Sequence, residues 1–173
     1  MKPQPQESQR RQSRRCFVRT ALAGGLGVSV APVFVTGAQQ VGGPIRSFDH
    51  VAVPMRNTDE MVAFYRALGF GVMEGERICS VHFGDCKINF HRPATWQDES
   101  FTLRAPAAEP PCGDFCFVWD GTQSALLNAL ERAGAQVIVG PVDRTGGRNG
   151  GTANGISHYI RDPDDNLLEF IVY

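Results

Sequence analysis

A single carboxylate interrupts an apolar run near the end of the chain. Glu169 follows Leu167 and Leu168 and precedes Phe170, Ile171 and Val172. These β-branched and aromatic residues predict a strand. A buried charge without a partner is costly, so Glu169 needs a cation, a proton or a hydrogen-bond donor. The alternative is an exposed residue on the outward face of an edge strand.

This predicted strand is the second arm of a hairpin. The run from Ile156 to Arg161 lies before the turn-forming residues Asp162-Pro163-Asp164-Asp165-Asn166, and the Glu169 segment lies after them. Aspartate, asparagine and proline favour turns because of their local hydrogen bonds and restricted φ. The last 18 residues therefore predict a β-hairpin with a longer loop.

The order of predicted elements occurs twice from Ser47 onward. A strand beginning near His50 is followed by a helix over Thr58–Leu68, which Gly69 ends, and by three strands over 70–73, 78–83 and 86–91. The second unit has a strand at 114–119, a helix over 122–133, a strand at 136–139 and the hairpin. Modules of about 47–92 and 113–173, joined by a linker at 93–112, therefore predict an α+β fold of two βαβββ units.

Superposing the two halves of the sequence brings polar residues to equivalent positions. His50 corresponds to Asp114 at the start of each first strand, and Asn89 corresponds to Glu169 in each last strand. His91 lies two residues after Asn89 and so on the same strand face. His82 and His158 have no equivalent, and we expect them to be structural or exposed.

These residue types suit metal chemistry if they converge. His50, Asp114, Glu169 and either His91 or Asn89 would offer imidazole and carboxylate donors to Zn²⁺, Mn²⁺, Ni²⁺ or Fe²⁺. Such an ion can hold two neighbouring oxygens of a substrate while a carboxylate such as Glu169 moves a proton. The alternative for each residue is a hydrogen-bonded structural role.

A glycine-rich loop over residues 141–155 is long for a compact domain, and such loops are often lids or binding loops. Arg144, Thr145 and Arg148 could bind a carboxylate or phosphate there. The alternative is a solvated loop with charged tips.

Three segments resemble the vicinal oxygen chelate superfamily, the glyoxalase, bleomycin-resistance and extradiol dioxygenase fold. They are Phe48–Val53, Met61–Phe70 and Tyr159–Phe170, and the likeness spans roughly residues 46–173. The segments Gly84–His91 and Gly140–Gly146 are similar to glyoxalase-domain-containing and virulence-type members.

The resemblance implies strands curled into a cup, or half-barrel, with a divalent metal at its floor. The superfamily's first-strand histidine maps onto His50 and its last-strand glutamate onto Glu169. Asn89 stands where glyoxalase I relatives carry glutamate, and Asp114 stands where histidine is usual. The implied function is a lyase or isomerase acting on a small vicinally oxygenated substrate, and dimers often complete the cup.

Two other functions stay open. One is a metal-free binding or sequestering protein of the bleomycin-resistance type, which the substituted positions Asn89 and Asp114 favour. The other is an Fe²⁺ ring-cleaving dioxygenase with His50, His91 and Glu169 as ligands.

The first 38 residues have the pattern of an export signal. A basic segment containing Arg14-Arg15 and Phe17-Val18-Arg19 precedes a short run of apolar and small residues and a small-residue end at Thr36-Gly37-Ala38. The twin arginine resembles a twin-arginine (Tat) translocation signal. It implies passage through the Tat translocase into the periplasm, with residues 39–46 as a linker. A basic tail or an uncleaved anchor is the alternative.

Composition excludes one class of partner. The 42% hydrophobic and 20% charged residues are typical of a globular chain. Beyond residue 38 the chain has eleven Lys and Arg residues and seventeen Asp and Glu residues, so its net charge is negative, and it has no basic stripe. Nucleic acid is therefore not expected as a partner. The four cysteines there are expected to be buried thiols, with a disulfide as the alternative.

Overall fold

The computed structural model describes residues 43–173, so the predicted export signal lies outside the described residues. The elements, in chain order, are β1 (His50–Pro54), α1 (Thr58–Ala67), β2 (Gly71–Glu74), β3 (Ile78–Phe83), β4 (Cys86–His91), α2 (Pro93–Trp96), β5 (Asp114–Val118), α3 (Gln123–Arg132), β6 (Val139–Thr145), α4 (Arg148–Gly151), β7 (Asn154–Arg161) and β8 (Leu167–Val172). In the described residues, no helix is long and apolar enough to span a membrane.

The strands form two four-stranded mixed sheets of the same topology. Sheet A has the order β1-β4-β3-β2 and sheet B the order β5-β8-β7-β6. In each sheet the first strand pairs in parallel with the last, and the other pairings are antiparallel. The predicted α+β fold of two βαβββ units is confirmed. The two sheets do not close into a barrel within residues 43–173.

Alternation along the strands gives each sheet a core face and an open face. In β4, Ile88 and Phe90 are buried whereas Asn89 between them is half-buried, and in β8 Leu168 and Phe170 flank Glu169 in the same way. The core faces of both sheets contribute to one hydrophobic cluster together with α1 and α3. The open faces are therefore turned away from this shared core.

Helical periodicity explains which helix faces enter the core. Met61, Val62 and Tyr65 are buried on α1, and Leu126, Ala129 and Leu130 on α3, at the three- and four-residue spacing of one helix face. The Thr122 hydroxyl accepts a hydrogen bond from the Ala125 backbone N–H at 3.2 Å and so caps α3. Asn57, the N-cap of α1, makes no such side-chain cap.

Aromatic rings join the two modules. The Phe117 ring of β5 packs against Phe70 and Phe83 of the first module, with ring centroids 5.0 Å apart in both pairs, and against Phe170 at 5.5 Å. Edge-to-face pairs of this kind add to the gain from burial. Phe117 therefore lies at the centre of the contact between the modules.

Three side chains of the hairpin turn Asp162–Asn166 are buried and bind other segments, namely those of Asp162, Asp164 and Asn166. The Asp162 carboxylate accepts a hydrogen bond from the Tyr65 hydroxyl at 3.0 Å, and the Asn166 side-chain oxygen accepts one from the Gly113 backbone N–H at 2.7 Å. Asp164 accepts hydrogen bonds from the backbone N–H groups of Arg56 at 2.6 Å and Asn57 at 2.8 Å. A carboxylate near the start of α1 also matches the helix dipole, so Asp164 ties the hairpin turn to the residues that lead into α1.

The glycine-rich segment differs from its sequence-based prediction. The prediction ends a strand at Val139 and places a loop over residues 141–155, whereas β6 begins at Val139 and runs to Thr145. The pairing register with β7 shifts between Val139 and Val142. Gly140 and Pro141 thus distort the ladder without ending it, as in a β-bulge, and the loop is reduced to residues 146–153.

We expect Asp164→Asn to lower the free energy of unfolding by about 1–3 kcal/mol, because an amide in place of the carboxylate cannot accept both N–H groups well. Asp165→Asn is the matched control, since Asp165 is exposed in the same turn and asparagine tolerates its positive φ of 71°. Urea unfolding of both variants measures the difference. Equal stabilities would show that Asp164 does not join the modules.

Candidate functional site

The open face of sheet A carries His50 in a row of polar side chains. The strand register places His50 opposite Lys87 of β4, and Lys87 opposite His82 of β3. His50 Nδ1 lies 2.6 Å from Asp49 Oδ1, and this hydrogen bond lowers the pKa of Asp49. Because an ionised carboxylate only accepts, Nδ1 carries the proton and Nε2 of a neutral ring is free to bind a metal.

Asn89 lies in the next row of the same face. The Ser80 hydroxyl donates to Asn89 Oδ1 at 2.8 Å, which leaves the amide N–H₂ of Asn89 available as a donor. Where glyoxalase I relatives offer a carboxylate, this chain therefore offers an oriented amide.

His91 lies at the far end of this sheet. It pairs with Pro54, four residues beyond the His50–Lys87 pair, or about 13 Å along the strands. The ring is buried against Phe101, with centroids 5.1 Å apart, and burial, followed by the charge of Arg77, lowers the pKa of His91. The structure does not bring His91 to His50.

Glu169 lies at the middle of the open face of sheet B. Its register partners are Cys116 on β5 and Tyr159 on β7, and the Ser157 hydroxyl donates to Glu169 Oε1 at 2.5 Å. The side chain is half-buried and has no ion-pair partner in the described part of the chain. Ser157 is therefore the hydrogen-bond donor that the half-buried carboxylate of Glu169 requires.

Arg144 and Tyr159 form a pair beside this carboxylate. The Arg144 Nε–H donates to the Tyr159 hydroxyl at 2.9 Å, and the guanidinium carbon lies 5.5 Å from the centre of the tyrosine ring. Desolvation raises the pKa of Tyr159 and outweighs the lowering effect of the Arg144 bond. Tyr159 is therefore a neutral hydroxyl at pH 7, able to donate.

The other two residues of the predicted loop contact the protein itself. The Arg148 guanidinium lies 4.4 Å above the Tyr173 ring, and the Thr145 hydroxyl donates to Asn154 Oδ1 at 2.9 Å. A side chain at Gly146 would collide with the Tyr173 side chain, so Tyr173 would have to move to accommodate one.

Arg144 and Glu169 line one cavity of about 480 Å³, together with Asp114, Ile138, Val139, Tyr159, Arg161 and Leu167. Asp114 is exposed at the start of β5 and is two residues from Cys116, on the same strand face.

Sequence reasoning missed Ser157, Tyr159, Cys116 and Arg161 as neighbours of Glu169. Counting residues outward from the Asp162–Asn166 turn along both arms of the hairpin pairs Tyr159 with Glu169. Ser157 is two residues from Tyr159 on the same strand face, so the sequence contains a signal for both residues.

The metal donors are divided between the sheets. No three side chains of His, Cys, Asp or Glu converge on one point within residues 43–173. His50 fits a metal through its free Nε2, and Glu169 fits through Oε2, which Ser157 leaves unbound. The residue types fit a divalent ion, but only if the two open faces are combined.

The cysteines differ in part from the prediction of buried thiols. Cys79 is buried, whereas Cys112 and Cys116 are exposed, and all four described cysteines are free. Although the Cys116 residue is exposed overall, partial desolvation of its sulfur, followed by the charge of Glu169, raises the pKa of Cys116 to about 12.

Two βαβββ modules with polar residues on their open faces define a vicinal oxygen chelate domain. The chain belongs to the glyoxalase/bleomycin resistance protein/dioxygenase superfamily, whose family model matches residues 47–170. It is 34% identical over 130 residues to the glyoxalase domain-containing protein RDO1 of Mycosarcoma maydis, a match that covers 75% of this chain and 69% of that protein.

Two bacterial relatives have known structures. The virulence protein STM3117 of Salmonella typhimurium is 31% identical over 131 residues, which covers 75% of this chain and 85% of that protein. Its crystal structure superposes with a TM-score of 0.64, at 30% identity over 75% of this chain and 98% of that one. An integron cassette protein from the mobile metagenome of Vibrio cholerae gives the same TM-score and identity, over 75% and 96% of the two chains.

We expect Glu169→Gln to speed iodoacetamide alkylation of Cys116 at pH 8 several-fold. Removing the carboxylate's charge removes one of the causes that raise the thiol pKa, so the thiolate fraction increases. Peptide mass spectrometry measures the rate, and Cys112 in the same samples is the internal control. An unchanged rate at Cys116 would show that Glu169 does not act on this thiol.

Proposed function

We propose that the protein is a metal-dependent lyase or isomerase for a small molecule with two neighbouring oxygens. The observation that carries this proposal is Glu169, a half-buried carboxylate without an ion-pair partner in the described residues, in a cavity of about 480 Å³. A half-buried carboxylate in a concave site is suited to move a proton. Family membership supports the class of reaction, whereas the role of each residue is inferred from its own position and contacts.

Glu169 is the general base of this proposal. The Ser157 hydroxyl holds Oε1, which leaves Oε2 to take a proton from a substrate carbon or oxygen. Tyr159, held by Arg144, presents a neutral hydroxyl on the same face, where it can donate to a substrate oxygen. The apolar side chains Ile138, Val139 and Leu167 line the same cavity beside these groups.

His50, Asp114 and Glu169 would hold a divalent metal ion. When bound, the ion would supply Lewis-acid stabilisation of negative charge on the substrate oxygens. Asn89 would place an amide N–H beside them. His91 is left out of this set because it lies at the other end of sheet A.

A second copy of the chain would complete the site. The open faces of both sheets are turned away from the shared core, so His50 and Glu169 of one protomer face different directions. In the proposed homodimer, sheet A of one protomer covers sheet B of its partner, and each dimer contains two composite sites.

The two alternatives differ in support. The oriented amide of Asn89 favours a metal-free binding protein of the bleomycin-resistance type, because it removes one anionic donor from the cup. An Fe²⁺ dioxygenase would need His50 and His91 at one point, and the register of β1 and β4 separates them.

Metal content tests the proposal. We expect near-stoichiometric divalent metal in protein purified without chelator, and a loss of about tenfold or more in affinity in His50→Ala and Glu169→Ala, because each removes a donor. Glu131→Ala, an exposed carboxylate on α3, is the matched control, and His91→Gln tests the dioxygenase set. A wild-type protein that neither contains nor takes up metal would favour the metal-free binding protein.

The shared site has its own test in the same variants. Mixed dimers of His50→Ala and Glu169→Ala contain one composite site with neither mutation. Unfolding and refolding a one-to-one mixture should therefore restore about a quarter of the wild-type metal content by random pairing. A site formed within one chain would give no recovery.

We further propose that the Tat translocase exports the protein to the periplasm, on the evidence of Arg14-Arg15 and the apolar run that follows. We expect Lys at both positions to abolish export, measured by cell fractionation. Replacing Arg10 and Arg11 with Lys is the matched control, because this neighbouring pair lies outside the motif. Export of the Arg14, Arg15 variant at the wild-type level would exclude this route.

A further inference from the structure

Arg161 lines the cavity of Glu169 and has no part in the proposed proton transfer. It is the last residue of β7, two residues from Tyr159 and therefore on the same open face. One guanidinium nitrogen, Nη1, donates to the Asp165 carbonyl at 2.8 Å, which holds the side chain against its own turn. The remaining N–H groups of Arg161 are not bonded to the described part of the protein.

The two arginines of this cavity have no carboxylate partners. Ion pairs in residues 43–173 join His50 with Asp49, and Arg66 and Arg92 with Glu74, but none includes Arg144 or Arg161. Arg144 is already committed to the Tyr159 hydroxyl and to the Asp143 carbonyl. Arg161 therefore offers the more complete planar fork for a bound anion.

Three of the side chains that line this cavity are apolar. Ile138 and Val139 are 47% and 46% exposed although both are large hydrophobic residues, and Leu167 lies beside Arg161 in the register. An apolar wall with a few placed polar groups is the usual composition of a small-molecule site. A ligand that matches both the arginines and the apolar lining has an anionic group and an apolar body.

We infer that the ligand of this site is a small organic acid whose carboxylate binds Arg161 and whose apolar body covers Ile138 and Val139. A carboxylate is preferred because its two oxygens match the planar guanidinium fork. This orientation places the carbon next to the carboxylate near Glu169, where an oxygen substituent would meet Tyr159. The inference rests on the proposed function, and it makes Arg161 a specificity-determining residue.

Three probes separate the features of such a ligand. Mandelate has a phenyl ring, a hydroxyl group and a carboxylate, 1-phenyl-1,2-ethanediol lacks the carboxylate, and glycolate lacks the ring. We expect titration calorimetry of the full protein at low salt to give the tightest binding for mandelate, with the diol and glycolate each weaker by about tenfold.

Variants of Arg161 test whether this residue binds the carboxylate of the ligand. Arg161→Gln should weaken mandelate about tenfold but leave the diol unchanged, because only mandelate has the anion that Arg161 binds. Arg161→Lys should bind mandelate with an affinity between those of the wild type and Arg161→Gln, since lysine keeps the positive charge but not the planar guanidinium fork. Arg132→Gln, an exposed arginine in the last turn of α3, is the matched control and should bind mandelate as the wild type does.

The inference fails if mandelate does not bind, if the diol binds as tightly, or if Arg161→Gln binds mandelate like the wild type. Metal content of the same samples separates this failure from that of the proposed function. Metal uptake that depends on His50 and Glu169, without selective binding of mandelate, would overturn the organic-acid inference alone. Loss of both would overturn the two together.

Discussion

The hydrogen bonds accepted by the buried Asp162–Asn166 turn hold the two modules together. Its side chains reach the start of α1, the Tyr65 hydroxyl and the backbone that precedes β5. Burial raises the pKa of Asp162 and raises that of Tyr65 well above its ordinary value, and the hydrogen bond between them is one of the bonds that compensate for this burial. Left without these partners, the buried carboxylates and N–H groups would be costly, so the turn sets how the modules pack.

This packing decides where chemistry is possible. Because the core faces of both sheets are used in a single cluster, the polar residues of each sheet are left on a separate open face. Sheet A presents an imidazole and an oriented amide, and sheet B presents a carboxylate beside a tyrosine and two arginines. In the proposed dimer, each protomer would carry two different half-sites, and a partner copy would complete a cup made from both.

Much of the architecture was predictable because it depends on local periodicity. Helical spacing and the glycines at 69 and 134 predicted α1 and α3, and the repeat predicted the matching sheets. The strand β6 was misjudged since Gly140 and Pro141 resemble a loop, whereas pairing with β7 retains them in the sheet. At the site, the sequence singled out Glu169 and Arg144, which line one cavity in the structure. It did not single out Ser157, Tyr159 and Arg161, because their sequence surroundings are ordinary.

The sequence by itself determined which residues alternate between the two faces of each strand, and it determined that His50 corresponds to Asp114 and Asn89 to Glu169 in a repeated unit. The tertiary structure alone decided which of them meet. Register across β8 and β7 brings Ser157 to Glu169, while the parallel pairing of β1 with β4 separates His91 from His50. Periodicity is a property of consecutive residues, whereas register and module packing depend on contacts between distant ones.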